Sequence, residues 1–127
     1  PLDFGHWVAH KLESLTNHRL RHVEAVAIGI AADVRYAVRA GYLNGDTADR
    51  ILSVFKALGL PTWDVSVDAR DASGRPAVLG GLEEFREHLG GQMHITMLRG
   101  IGDAFEVTSM DDALVMEALS DLAPQAR

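Results

Sequence analysis

Apolar positions along the 127-residue chain recur at helical spacing over most of its length. Over residues 7–16, Val8, Leu12 and Leu15 share one helical stripe and Asn17-His18 interrupts it, which predicts a short first helix. Over residues 22–40, Val23, Val26, Ala27, Ile30, Val34 and Val38 form a stripe that Ala25, Ile28 and Ala31 widen almost all the way round. A helix apolar on nearly every side belongs in the middle of a bundle. Gly29 within it costs about 1 kcal/mol relative to alanine and marks a close crossing by another helix or a ligand. Loop residues follow at 41–46, then a third helix over 48–58, capped by Asp46 or Thr47 and closed by Gly59-Leu60-Pro61. Residues 64–75 alternate Val with Asp and read as an extended or irregular surface segment. Residues 82–89 form a short amphipathic helix ended by Gly90-Gly91. Residues 92–98 and 105–108 alternate at strand period and predict a hairpin with a loop of several residues. Ser109 with Asp112 resembles a capping box that opens a last helix over 110–122, stopped by Pro124. The expected architecture is mainly α, a helical bundle with a small β-hairpin near the C-terminus, in one domain over residues 1–127.

Composition narrows the function. With 47% hydrophobic residues the chain has enough apolar material for a core of its own. Twelve basic against 18 acidic side chains leave a formal charge of −6, with no basic stripe, so no nucleic-acid partner is expected. The absence of cysteine removes disulfides, thiolate zinc sites and thiol nucleophiles together, and any metal falls to histidines and carboxylates. No apolar run approaches the roughly 18 residues that span a bilayer, and the start lacks a basic region followed by an apolar core. No membrane association is expected, and the reading is of a cytoplasmic protein. The chain starts at Pro1 rather than Met, as a piece of something longer would.

Four of the six histidines, His6, His10, His18 and His22, fall between positions 6 and 22. On one helix His6 and His10 stack on a single face about 6 Å apart, a spacing that suits two ligands of one metal as well as two solvated side chains. His22 opens the next helix and can fold back onto the same point. Trp7 stands where a zinc-peptidase motif needs its general-base Glu, which excludes that reading. Trp7 reads instead as a packing anchor, Glu24 as a first-turn residue favoured by the helix dipole or a group orienting His22, and Glu13 as a helix-surface or interdomain polar contact.

Asp3-Phe4-Gly5-His6, then His10 and Glu13, then Leu20-Arg21-His22-Val23-Glu24-Ala25-Val26-Ala27-Ile28-Gly29 resembles the signature of 3-dehydroquinate synthase and related sugar-phosphate cyclases. That family reads Asn-Phe-Gly-His-x-x-Gly-His-x-x-Glu, then Leu-x-His-Gly-Glu-Ala-Val-Ala-Ile-Gly. Gly59-Leu60-Pro61 and Leu98-Arg99-Gly100-Ile101-Gly102 also sit where the family has them, so the resemblance extends over essentially the whole chain. It implies the C-terminal helical domain of a two-domain enzyme, with an N-terminal NAD-binding half outside this chain. His6 and His22 match the family's zinc-binding histidines, whose third ligand is a glutamate of that half. His10 matches an active-site histidine near the substrate. The implied reaction oxidises a sugar-phosphate carbon with tightly bound NAD, eliminates phosphate, returns the hydride, opens the ring and closes a carbocycle by an intramolecular aldol step. Zinc or another divalent metal and NAD are therefore the implied cofactors, and the chain alone is expected to be inactive.

Departures from the pattern bear on the substrate. Asp3 stands where 3-dehydroquinate synthases have Asn, and it is expected beside the substrate with His10 as the catalytic pair. Where those enzymes carry Asp-Lys-Lys, this chain has Phe85-Arg86-Glu87, leaving Arg86 as the remaining substrate-binding cation. Both changes favour a heptulose phosphate without a carboxylate, such as sedoheptulose 7-phosphate, over the dehydroquinate precursor. Val23 and Ala9 replace family glycines and either narrow the approach of substrate or repack the helix start. The expected partners are the sugar phosphate, the N-terminal domain and a second copy in a homodimer. Two other readings stay open: a free-standing helical dimerisation module of the same descent, and the helical domain of a metal-dependent alcohol or glycerol-phosphate dehydrogenase.

Overall fold

The computed structural model describes residues 5–88, 90 and 94–124. In chain order these form α1 (His6–Leu15), α2 (His22–Arg39), α3 (Gly45–Ala57), a 3-10 turn (Val65–Asp68), α4 (Ala77–His88), β1 (Ile95–Gly100), β2 (Asp103–Val107) and α5 (Asp112–Leu122). The architecture is the mainly helical bundle with one antiparallel hairpin that the hydrophobic pattern predicts. Among the described residues no helix is long and apolar enough to cross a membrane.

Helix α2 is the axis. It buries ten of its 18 residues and packs against α1, α3, α5 and β1, while α4 lies on the outer side of α1. Small residues on several faces, Ala25, Ala31 and Ala37 among them, let its neighbours approach, and Ile28 and Val34 fill the spaces between. Each such aliphatic side chain contributes roughly 1.5–3 kcal/mol when fully buried. Across the α2–α5 seam, Asp121 accepts from Arg39 Nε and Nη2 at 2.8 and 2.6 Å and from Arg35 at 3.2 Å.

Helix starts differ from the expected ones wherever several cap-forming residues compete. Asn44, not Asp46 or Thr47, caps α3: its side chain accepts from the N–H groups of Asp46 at 2.7 Å and Thr47 at 3.4 Å. Removing that cap in Asn44→Ala is expected to cost about 1 kcal/mol, read as a lower urea midpoint; an unchanged midpoint would show that the cap adds nothing. At the other end Gly59, at φ +75°, lets its own N–H reach Lys56 O and the Leu60 N–H reach Phe55 O, the closing pattern its sequence predicts. Asp111 caps α5 by accepting from Ala113 and Leu114, so the helix starts at Asp112 and the Ser109–Asp112 box does not form.

Two segments differ more. Residues 64–75 are irregular as expected, yet Val67 turns inward from the 3-10 turn and is buried against the core. Helix α4 starts at Ala77 rather than at residue 82, with Ala77, Val78 and Leu79 buried. Gly80-Gly81 conceals that first turn in the sequence. Gly81 is there because a Cβ would stand 2.7 Å from the Lys11 Cβ on α1. In the hairpin, Ile95 faces Val107 and Met97 faces Phe105, and the chain reverses through Ile101-Gly102, a shorter loop than expected, with a register shift between Leu98 and Gly100. Residues 92 and 93, expected to begin the first strand, lie outside the described residues.

Candidate metal centre

The site is built by a backbone contact. Gly5 precedes α1 at φ +79°, and its carbonyl rests on Gly29 of α2, where a Cβ would come within 1.9 Å of the Gly5 oxygen. The crossing anticipated at Gly29 is therefore made by the start of α1. Residues 16–21 reverse the chain, with Asn17 and His18 at positive φ of 49° and 64°. Both helices thus present their N-terminal turns to the same region.

There the rings of His6 and His22 lie 6.0 Å apart, centroid to centroid, and those of His6 and His10 5.9 Å apart. Two imidazoles on one tetrahedral zinc have centroids roughly 5–6 Å apart, given Zn–N bonds near 2 Å. His6 Nδ1 is buried with no hydrogen-bond partner among the described residues, while His10 and His22 are exposed. His22 Nδ1 lies 3.1 Å from Glu13 Oε1, whose side chain is only 15% exposed. A carboxylate at that distance favours the imidazole proton on Nδ1, which leaves Nε2 as the nitrogen open to a metal. Glu13 therefore does what was weighed for Glu24, and it is not a plain surface residue. Glu24 accepts from the backbone N–H of Arg21 at 2.9 Å, a local donor that competes successfully for its carboxylate. Among the described residues no three His, Asp or Glu side chains form a complete metal-binding group. The centre is a pair of imidazoles, to which other ligands would have to be added.

Beside it a cleft of about 290 Å³ opens between α1 and α4, lined by Trp7, His10, Lys11, Gly81, Glu84 and Phe85. Lys11 Nζ crosses it to Glu84 Oε1 at 2.6 Å, so the cation is already neutralised. Arg86 is not brought to this cleft; it lines a separate groove of about 180 Å³ with Glu83, Thr108, Ser109 and Asp112. Asp3 lies outside the described residues. His18 is exposed, and His94 pairs with Glu106 at 3.2 Å on the hairpin. Ala9 is buried and Val23 exposed, so of the two residues standing for family glycines only Val23 faces solvent.

Sequence reasoning missed Asp33. Its carboxyl is completely buried, accepting from the Gly5 N–H and the Trp7 indole N–H at 3.0 Å each. Burial pushes it up to about 7 against the opposing pull of these two hydrogen bonds, that of Trp7 the larger. Its one signal in the sequence is position: four residues after Gly29 in a helix apolar on nearly every side, it has nowhere to reach solvent. Trp7 is buried as a packing anchor and also carries this polar contact.

Comparison with known proteins places the fold. The chain is 30% identical over 96% of its length to a 3-dehydroquinate synthase of Nocardia farcinica, of which it covers 31%. It is 32% identical over 91% of its length to that of Roseobacter denitrificans, of which it covers 32%. It therefore spans about a third of the length of the curated relatives it matches. A solved 2-epi-5-epi-valiolone synthase from Streptomyces hygroscopicus subsp. jinggangensis, with NAD+ and Zn2+ bound, superposes at a TM-score of 0.84 with 29% identity, over 95% of this chain and 32% of that one. The 3-dehydroquinate synthase C-terminal family model matches residues 1–74. The chain belongs to the 3-dehydroquinate synthase C-terminal family.

Proposed function

We propose that this chain is the metal- and substrate-binding helical domain of an NAD- and zinc-dependent sugar-phosphate cyclase, a lyase that eliminates phosphate and forms a carbocycle. The observation that carries the reading is the meeting of His6 and His22 at 6.0 Å, with His22 oriented by Glu13. The donor set fits zinc: two imidazoles, one with a buried nitrogen that has no partner among the described residues, leave room for a carboxylate from a nucleotide-binding domain outside this chain and for vicinal substrate oxygens. Zinc bound there would act as a Lewis acid on a substrate oxygen, and NAD held by the other domain would carry the redox chemistry.

His10 borders both the imidazole pair and the cleft, where its ring can hold or accept a substrate proton. Phe85, half-buried at the edge of that cleft, offers apolar surface suited to the carbon face of a sugar. Because Glu84 already satisfies Lys11, a substrate carboxylate there would have to displace an ion pair, whereas hydroxyls would not. This supports a heptulose phosphate without a carboxylate, such as sedoheptulose 7-phosphate, and Asp3 acts in the same direction. Arg86 faces the other groove and is left out of the proposed site.

In the full-length protein, His6→Ala and His22→Ala are each expected to abolish bound zinc while the helical circular dichroism is retained. Glu13→Gln should weaken zinc binding roughly 10- to 100-fold. The wild-type protein should convert sedoheptulose 7-phosphate in preference to a heptulonate phosphate, without net NADH production. Zinc and NAD bound in full with neither sugar consumed would end the cyclase reading.

A further inference from the structure

We infer that Asp33 is a positioning residue for the His6 metal ligand, acting through the Gly5 N–H and the Trp7 indole on either side of it. The inference rests on the metal reading above. Its starting point is that His6 has no hydrogen bond of its own among the described residues, so the backbone that carries its ring must set where that ring points.

That backbone is held from α2 at three points. The Gly5 oxygen is pressed onto Gly29, and the Gly5 N–H and Trp7 indole both donate to Asp33, one helical turn further along. His22, the other imidazole, rides on the same helix. Asp33 and Gly29 thus register the first turn of α1 against the helix that supplies the second ligand.

Helix α1 also has no side-chain cap of its own. The orphan N–H of Gly5 is satisfied from 28 residues away. A local Ser or Asp would cap the helix equally well but would leave its end free to shift relative to α2. A carboxyl buried in an apolar helix is expensive to keep, and both its oxygens are taken by residues 5 and 7. An apolar side chain at position 33 would serve packing but would leave the Gly5 N–H and the Trp7 indole without their acceptor.

The test uses full-length protein. Zinc affinity is read by competition with a chelator, site geometry by the visible spectrum of the Co2+-substituted form, and stability by the unfolding midpoint of the metal-free form. Asp33→Ala is expected to lower zinc affinity about tenfold or more and to alter the Co2+ spectrum. Val115→Ala, which opens a cavity at the α2–α5 seam, should lower the midpoint but leave affinity within about twofold. Should Asp33→Ala fail to fold, Trp7→Phe removes the indole N–H together with one ring of the buried indole, and should shift affinity and spectrum in the same direction, whereas the cavity it leaves should by itself act only on the midpoint, as in Val115→Ala. If Asp33→Ala, or Trp7→Phe in its place, lowers the midpoint while affinity and spectrum stay as in the wild type, Asp33 is structural only and the inference falls. If wild-type protein and His6→Ala bind zinc equally, the metal reading itself is wrong and the inference goes with it.

Discussion

Gly29→Ala is expected to leave no cooperatively folded domain. The added Cβ would stand 1.9 Å from the Gly5 oxygen and 2.8 Å from the Gly5 carbonyl carbon. Both are backbone atoms, so no side-chain rotation relieves the overlap. The start of α1 would have to lift away, breaking the Gly5–Asp33 and Trp7–Asp33 hydrogen bonds and separating His6 from His22. Overpacking by a single methyl where side chains can yield costs about 1–3 kcal/mol, and a backbone clash of this depth costs more. Domain stability as a whole is only about 5–15 kcal/mol. Helix propensity acts the other way, favouring alanine by about 1 kcal/mol, and is outweighed. Gly80 makes the contrast: it lies inside α4 with nothing within 4 Å of an added Cβ, so Gly80→Ala should raise the melting temperature. Thermal melts of both variants decide the matter. A Gly29→Ala protein that melts at or above the wild-type temperature would mean that the Gly5–Gly29 contact is not what sets the crossing.

Stability is also expected to fall as pH rises from 5 to 8. The folded chain holds the Asp33 proton up to about 7, whereas an exposed aspartate loses it near the ordinary 3.8. Between those values the native state binds more protons than the unfolded state, so each rise in pH favours unfolding. The stabilisation is fully present below 3.8 and is gone above the folded value. At about 1.4 kcal/mol per unit the whole effect is on the order of 4 kcal/mol, of which about 2–3 lies between pH 5 and 8. Asp121 acts oppositely. The hydrogen bond from Arg39, with Arg35 adding to it, holds its carboxyl below the usual value, so its contribution is present above the ordinary aspartate value and is lost as pH falls through the depressed one. Together the two groups put maximum stability on the acid side of neutrality. Urea midpoints at pH 5 and 8 measure the slope, and Asp33→Asn, which cannot ionise, should lose most of it. A wild-type midpoint that rises over this interval would contradict the buried-acid account.

Much of this was legible along the chain because it depends on near neighbours. The i, i+4 spacing alone stacks His6 on His10, and the width of the apolar stripe alone puts α2 at the centre. A glycine in that stripe signalled a close crossing, and the run from Asp3 to Gly29 pointed to the family. What was not legible depends on how helices meet. On paper Glu24, two residues from His22, is the partner to weigh, and Glu13 reads as a surface or interdomain contact. The choice went to Glu13 because the Arg21 N–H occupies Glu24 locally, and because the α1–α2 crossing carries Glu13 to the ring. Arg86 and the histidines could be placed together only by knowing the phase of α4, and that helix begins five residues earlier than its charged face suggests. The Asp33 contacts span 26 and 28 residues, beyond the reach of any spacing rule. Local periodicity is written in adjacent side chains, whereas the meeting of ligand, carboxylate and cleft is set by the closest approach of two backbones. Here that approach is the one two glycines allow, at Gly5 and Gly29.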